Sequence, residues 1–568
     1  MPDVRLRPLS ALLLAGALSV STLTVSALPG TAVAAPQVDL PEVPGLPGLP
    51  GLPGVDGTET PDEHALAALA VVETLVDPAT SPAEAQQTLT QAGEADLTGA
   101  LRDLALSMDA LSPADRAEAA AYLARPTDRR GDGYLDYEDD TVQRVCTDDL
   151  CVHYVVGGAS GNNVPAKDAS GGAGGAGNGV PDYVDFALST LQDVHDTYAG
   201  AGYRTPLPDG AKGGDARTDV YLGDVGSMSF YGYCTSDDDV PDDARAVPAY
   251  CVLDNDYRTG QFPTNLPTEN LQVTAAHEYF HAVQYAYDAG EDGWLIEATA
   301  TWAEDELFDS VNDNVQYLAD SPLSHPRQSM DRDEDLAVYG DWIFFRHLTE
   351  RHPAAVGGLP VLVRKIWERA GAAAGDRDEY STQAVEQVLR RQHDVSLSES
   401  FARFADANLR PGRAYAEGRA QSYPNAPLWK RTTLTGSKRS VGAQQVYLDH
   451  LSSASQRFTP GAGLGGGWRL RLSLDLPSRT RGSAAVVTVV PTSGTPSTRV
   501  LRLDRAGDAA TRVGFSSART SYVEVTLVNA STRYRNCSNG GTSTWPCGGR
   551  PVDDGLRSTL TGRVVPAG

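Results

Sequence analysis

Leu271-Gln272-Val273-Thr274-Ala275-Ala276-His277-Glu278-Tyr279-Phe280-His281-Ala282-Val283-Gln284-Tyr285-Ala286-Tyr287 is a helix-compatible run without Gly or Pro. At its centre, His277-Glu278-Tyr279-Phe280-His281 has the HExxH pattern. Two histidines at i and i+4 share one helical face, so both imidazoles reach a single metal ion. Glu278 lies one residue off that face, where its carboxylate takes a proton from water beside the metal instead of binding the metal itself. The run therefore offers two zinc ligands, His277 and His281, and a general base, Glu278.

A zinc that activates water takes three protein ligands and keeps one position open. A metzincin would carry Gly and His at the third and sixth positions after the second histidine, but this chain has Gln284 and Tyr287 there. Instead it turns at Asp288-Ala289-Gly290-Glu291-Asp292-Gly293 and begins a second helix-like segment, Trp294 to Asp305, in which Glu297 is the candidate third ligand.

HExxH followed by a glutamate in a W-L-x-E-x-x-A-x-x-x-E segment resembles the gluzincin zinc metallopeptidases, with Trp294, Leu295, Glu297, Ala300 and Glu304 matching the aminopeptidase-type motif. Ala298 and Thr299 depart from it, where Gly and an aromatic are common, and the spacer of 15 residues between His281 and Glu297 is short. From about residue 130 onward the chain also resembles a little-characterised group of secreted bacterial metalloproteases. The resemblance implies a zincin-like α+β domain with Glu297 as a zinc ligand and Glu304 supporting a ligand histidine. Positions i and i+7 share a helical face, which agrees with that role for Glu304, and Thr301 at i+4 is the alternative. Gluzincins also supply a hydrogen-bond donor to the oxyanion of the tetrahedral intermediate. Tyr339 is the choice here, at the start of an amphipathic helix from Tyr339 to Leu348, with His325 as runner-up.

Arg5 and Arg7 precede an apolar stretch from Leu9 to Leu28, and Ala32-Val33-Ala34 has the small-x-small pattern of a signal-peptidase site, so the expected location is extracellular. No second long apolar stretch follows that would span a membrane. The six cysteines fall into near neighbours, Cys146 with Cys151, Cys234 with Cys251 and Cys537 with Cys547, which in an exported chain reads as three local disulfides. A formal net charge of −27 argues against a nucleic-acid or anionic-membrane partner.

Residues 36–57 form a Pro/Gly-rich stretch, and 63–123 are Ala- and Leu-rich with helical periodicity broken at Asp77-Pro78 and Ser112-Pro113. Asp219 to Leu222 and Tyr250 to Leu253 read as strands, the latter suiting, by analogy with zincin-like folds, an edge that pairs with extended substrate, with an ordinary inner strand as the simpler reading. Asp168, Asn178 and Asp182 flank a Gly-rich run and offer oxygens to calcium, with a plain turn before a helix at 182–198 as the simpler reading. Beyond Pro427, alternating runs such as 468–474, 485–490 and 522–528 suggest an all-β sandwich.

The chain thus divides into a signal peptide (1–34), a linker (35–60), a helical segment (61–127) that is either a removable pro-region or a permanent part of the fold, a zincin-like α+β peptidase domain (128–426) and a β-sandwich (427–568). The expected activity is secreted zinc-dependent hydrolysis of a protein or peptide substrate. Endopeptidase is favoured over aminopeptidase because no Gly-x-Met-Glu-Asn-type anchor is present. The competing expectation is a non-catalytic secreted binding or surface protein with a structural zinc site, which a retained base and only three protein ligands disfavour.

Overall fold

The computed structural model describes residues 60–77, 79–92, 96–128, 135–137, 140–168, 177–241, 245–332, 336–534 and 551–566. The expected signal peptide, nearly all of the linker, and the Cys537–Cys547 pair lie outside those residues. The chain mixes helices and sheets in the α+β manner.

Four helices come first: α1 (Pro61–Val76), α2 (Pro82–Ala92), α3 (Leu97–Ser107) and α4 (Pro113–Tyr122). Their starts follow capping chemistry. Thr60 and Glu63 form a reciprocal capping box, Asp96 accepts the Gly99 N–H, and Ser112 accepts the Asp115 N–H.

A five-stranded sheet follows, built from β1 (Val142–Cys146), β2 (Leu150–Val155), β3 (Thr218–Gly223), β4 (Gly232–Thr235) and β5 (Tyr250–Asp254) in the order β1-β2-β3-β5-β4. The inner strands β2, β3 and β5 run parallel, and both edge strands are antiparallel to their neighbours. Helix α5 (Asp182–Gly200) connects β2 to β3. The parallel strands are buried on both faces, as parallel pairing requires of flanking layers. Alternate side chains divide between two cores. Val220, Leu222 and Leu253 pack with α5 and the HExxH helix, while Tyr221, Tyr250 and Val252 pack with Leu97, Leu101 and the other apolar residues of the first four helices. The Ala-rich N-terminal segment is therefore a full layer of the sandwich around this sheet.

Both described cysteine pairs bridge directly opposed residues of adjacent strands, Cys146–Cys151 across β1 and β2 and Cys234–Cys251 across β4 and β5. Of the two readings of Tyr250 to Leu253, the substrate-pairing edge is corrected and the ordinary inner strand holds. That run lies in β5, an inner strand, and the edge beside the HExxH helix is β4. Alternation marks a strand but carries no information about its place in the sheet.

Next come α6 (Pro267–Tyr285), α7 (Gly293–Leu307), α8 (Ala337–Gly340), α9 (Trp342–Arg351), the short hairpin β6 (Ala355–Val356) and β7 (Leu359–Pro360), α10 (Val361–Ala370), α11 (Thr382–His393), α12 (Leu397–Ala407) and α13 (Pro411–Ala414). Trp294, Trp302, Trp342 and Trp367 are fully buried among them. The single helix expected from Tyr339 to Leu348 is two helices, divided at Asp341, so Tyr339 sits inside the short α8 and does not open the longer helix. A Cβ at Gly340 would lie 2.7 Å from the Tyr317 carbonyl oxygen and 2.9 Å from the Ser321 Cα, so a close backbone approach marks the break.

The C-terminal part consists of β8 (Lys430–Leu434), β9 (Ser440–Leu448), β10 (Ser452–Pro460), β11 (Arg469–Asp475), β12 (Ser483–Pro491), β13 (Ser497–Val500), β14 (Asp508–Gly514), β15 (Thr520–Asn529) and β16 (Leu556–Val565). They form a five-stranded sheet, β13-β12-β15-β10-β8, and a four-stranded sheet, β14-β11-β16-β9, whose apolar faces share one core around Phe458, Leu472, Val525 and Leu560. Buried polar pairs fasten this sandwich to the helices. Thr488 donates to Asp406 at the end of α12 at 2.7 Å, Arg410 pairs with Glu524, and His450 Nδ1 meets Asp331 Oδ2 at 2.5 Å.

Burial alone would lower the pKa of His450, but the charge and hydrogen bond of Asp331 raise it above 6.5. Burial would raise Asp331, but His450 holds it below 3.8. The imidazolium therefore stabilises the fold fully below pH 6.5 and loses its contribution as pH rises through the raised pKa. The carboxylate contributes above pH 3.8 and loses its contribution as pH falls. Asp331→Asn should cost about 3 kcal/mol. In pH-dependent thermal melts its deficit against the wild type should be largest between pH 3.8 and 6.5 and shrink on the alkaline side.

Candidate metal centre

Every residue of helix α6 from Val273 to Tyr285 is buried. It is fixed from one side by α5, where the Tyr198 hydroxyl donates to the Ala276 carbonyl at 2.7 Å and His195 Nδ1 meets the Tyr279 hydroxyl at 2.7 Å. The turn into α7 is buried as well, despite its charge. Asp288 is paired with Arg245 at 2.9 Å, and Glu291 accepts the Ser381 N–H at 2.9 Å. Trp294 then donates its indole N–H to Ser381 Oγ at 3.0 Å, which holds the first turn of α7 in place.

This antiparallel pairing of α6 and α7 brings His277, His281 and Glu297 together. One ligand atom of each lies within 4.8 Å of the others, and all three side chains are buried. Glu297 Oε2 is 3.2 Å from His277 Nε2 and 3.6 Å from His281 Nε2.

The opposite nitrogen of each ring is engaged. Gln284 donates its amide Nε2 to the Ile296 carbonyl at 2.9 Å and to Thr299 Oγ1 at 3.0 Å, so its Oε1 must face His281 Nδ1, 2.7 Å away. His281 Nδ1 is then the N–H donor, and Nε2 turns an unshared lone pair toward Glu297. That Nε2 is buried and has no hydrogen-bond partner among the described residues. Burial also favours the neutral ring, lowering its pKa to about 4. His277 Nδ1 lies 2.6 Å from Glu304 Oε1, so it too presents Nε2 inward. For His277 burial disfavours charge, but the hydrogen bonds to Glu297 and Glu304 raise its pKa well above 6.5, so a proton and a metal ion compete for the same nitrogen. Two lone pairs and a carboxylate oxygen aimed at one point are the donor set of a divalent cation site. Thr301, the alternative to Glu304, has a buried hydroxyl without a hydrogen-bond partner among the described residues.

Glu278 is buried beside this point, and burial raises its pKa well above 4.5. Strand β4 approaches it closely, since a Cβ at Gly232 would lie 3.0 Å from Glu278 Cγ and 2.9 Å from the Val252 carbonyl oxygen. Tyr339 is also brought in, with its ring 5.9 Å from that of His277. His325 lies elsewhere, in a surface pocket between the helices and the sandwich with Trp429 and Tyr447. Asp168 accepts the Gly179 N–H at 2.9 Å, Asn178 accepts the Val180 N–H at 2.9 Å, and Asp182 pairs with Lys167 at 3.5 Å, so the oxygens offered to calcium serve the turn before α5.

Three residues at the site were outside the sequence-based set. Gln284 entered there only as a mismatch to the metzincin pattern. Asp96 and Thr98 come from the start of α3, some 180 residues before the motif. The Tyr339 hydroxyl donates to Asp96 Oδ2 at 2.5 Å, and the Thr98 hydroxyl donates to Glu278 Oε2 at 3.4 Å while accepting the Cys234 N–H of β4 at 3.2 Å. Burial and the charge of Glu297 raise the Asp96 pKa to about 6.

No protein-family model matches the sequence, and a search of curated proteins finds no match. Among solved structures, a family GH115 4-O-methyl-α-glucuronidase with specificity for decorated arabinogalactans is 8% identical, with 65% of this chain and 54% of that chain covered and a TM-score of 0.14. The chain thus spans about half the length of that protein.

Gln284→Leu removes the acceptor that fixes the His281 tautomer, and Glu304→Ala does the same for His277. Each should weaken divalent-metal binding about 10- to 100-fold, measured by competition with a chromogenic chelator on chains of matched helical content.

Proposed function

We propose that this chain is a secreted zinc-dependent peptidase with a zincin-like catalytic domain, of the type the HExxH-plus-glutamate motif resembles. The observation that carries the proposal is the convergence of His277 Nε2, His281 Nε2 and Glu297 Oε2, with both tautomers fixed, beside a carboxylate that binds none of the three. A tetrahedral zinc site with arms of about 2.1 Å has ligand atoms about 3.4 Å apart, and the two measured edges to Glu297 are 3.2 and 3.6 Å. A structural site would close with a fourth protein ligand and needs no base, so the intact Glu278 supports catalysis. The two cross-strand disulfides fit an oxidising compartment, in keeping with export.

Zinc bound by His277, His281 and Glu297 would supply Lewis acidity, polarising the scissile carbonyl and lowering the pKa of the attacking water. Glu278 takes one proton from that water as its oxygen bonds to the carbonyl carbon. The same carboxyl then delivers the proton to the amide nitrogen as the C–N bond breaks, giving one carboxylate and one amine product. Tyr339, whose ring lies 5.9 Å from that of His277, supplies the hydroxyl donor to the developing oxyanion. Strand β4 offers the outward Cys234 N–H to a substrate in extended conformation, and Gly232 lets that strand lie against the base. Glu304 and Gln284 hold the two imidazoles in the ligating tautomer throughout.

The test is cleavage of an unfolded protein by wild type and Glu278→Gln, each carrying one zinc per chain. Removing a general base should lower the rate about 10²- to 10⁴-fold. Equal and measurable rates for the two proteins would refute the assigned chemistry.

A further inference from the structure

The same cleft is already filled by the chain itself. Helix α3 lies across the edge strand β4, and its first residues reach the oxyanion donor, the base and the edge-strand N–H. Asp96 Oδ2 accepts the Tyr339 hydroxyl at 2.5 Å, the proton assigned above to the oxyanion. The Thr98 hydroxyl bonds Glu278 Oε2 at 3.4 Å and also accepts the Cys234 N–H at 3.2 Å, which is the free edge of the sheet. One turn later, Arg102 donates to the Glu291 carbonyl at 3.3 Å, between α6 and α7. Leu97, Leu101 and Leu104 are fully buried against the sheet, so α3 is a packed helix in its resting place. Asp96 also caps α3 by accepting the Gly99 N–H at 2.8 Å, which fixes the direction in which its second oxygen points.

We propose that α3, led by Asp96 and Thr98, is a built-in inhibitor of the site, occupying the oxyanion donor, the base and the edge-strand N–H that a peptide substrate needs. The proposal rests on the peptidase reading of that site. The layer is held at both ends of its function. Its apolar face is part of the core under Tyr221 and Tyr250, and just beyond α4 the fully buried Arg125 is paired with Asp209 at 2.6 Å, with Asp237 at 2.9 Å and with Asp219. Arg125 anchors the downstream end of the segment to the sheet, so α3 stays at high effective concentration over the cleft until it is lifted or cut away. Latency of this kind suits an exported hydrolase, which must pass through its own cell before it meets substrate.

The test uses the full-length chain loaded with zinc and compares wild type with the double variant Asp96→Asn, Thr98→Val. Asparagine caps a helix as well as aspartate does, so the variant keeps α3 while removing the carboxylate that accepts the Tyr339 proton and the hydroxyl that bonds Glu278 and the Cys234 N–H. Binding of a small peptide hydroxamate, followed by calorimetry, should tighten roughly tenfold or more, because apparent affinity scales with the fraction of chains whose cleft is open. Amide exchange within 97–107 should speed up, and peptide hydrolysis should rise by a similar factor. Unchanged hydroxamate affinity together with unchanged exchange in a folded variant overturns the inhibitor. Should the double variant fail to fold, Asp96→Asn alone carries the same comparison. A variant that binds hydroxamate more tightly yet cuts no peptide keeps the inhibitor and refutes the peptidase reading, so the two claims fail separately.

Discussion

The side-chain amide of Gln284 holds this site together. Its nitrogen reaches across to the Ile296 carbonyl and Thr299 hydroxyl of α7, and its oxygen receives the proton of His281. One residue thereby sets two things at once, the register of the two helices and the tautomer of a ligand ring. Because Ile296 immediately precedes Glu297, the bond that orients His281 also places the carboxylate that His281 must meet. Amide and imidazole are buried, so a lost bond here would leave an uncompensated polar group in place of a weakened contact.

Around that pair the chain concentrates carboxylates that resist burial together. Glu278, Glu297 and Glu304 are buried and Asp96 is half-buried, and desolvation pushes against the charged form of each. His277 offsets part of this cost for Glu297 and Glu304. A divalent cation at the convergence point would offset more, and as a ligand of the native state alone it would stabilise the fold as well as serve chemistry. The four tryptophans and the buried turn from Asp288 to Asp292 provide the rigid surroundings in which such a cluster keeps its geometry.

Much of the site is legible in the sequence because it lies on two helices. The i, i+4 spacing of His277 and His281 and the i, i+7 spacing of Glu297 and Glu304 translate directly into shared faces, and the structure places all four side chains where those faces meet. Tyr339 could be chosen from its helical surroundings, although tight packing at Gly340 rather than any local signal breaks its helix. Strand order could not be read, since alternation identifies β5 as a strand without saying that β4 lies outside it. Asp96 and Thr98 were invisible for a stronger reason. They reach Tyr339 and Glu278 only through the stacking of α3 on β4, a contact between distant segments that no local periodicity encodes. Asp288, Glu291 and Asp292 read in the sequence only as a turn, and their burial depends on partners far along the chain, among them Arg245 and Ser381.

The most direct measurement is X-ray absorption at the zinc edge of the full-length chain loaded with one equivalent of metal. The account predicts two imidazole nitrogens with the remaining ligands all oxygen, and loss of one imidazole in His281→Ala. A sphere containing sulfur, or two imidazoles still bound after His281 is removed, would contradict it.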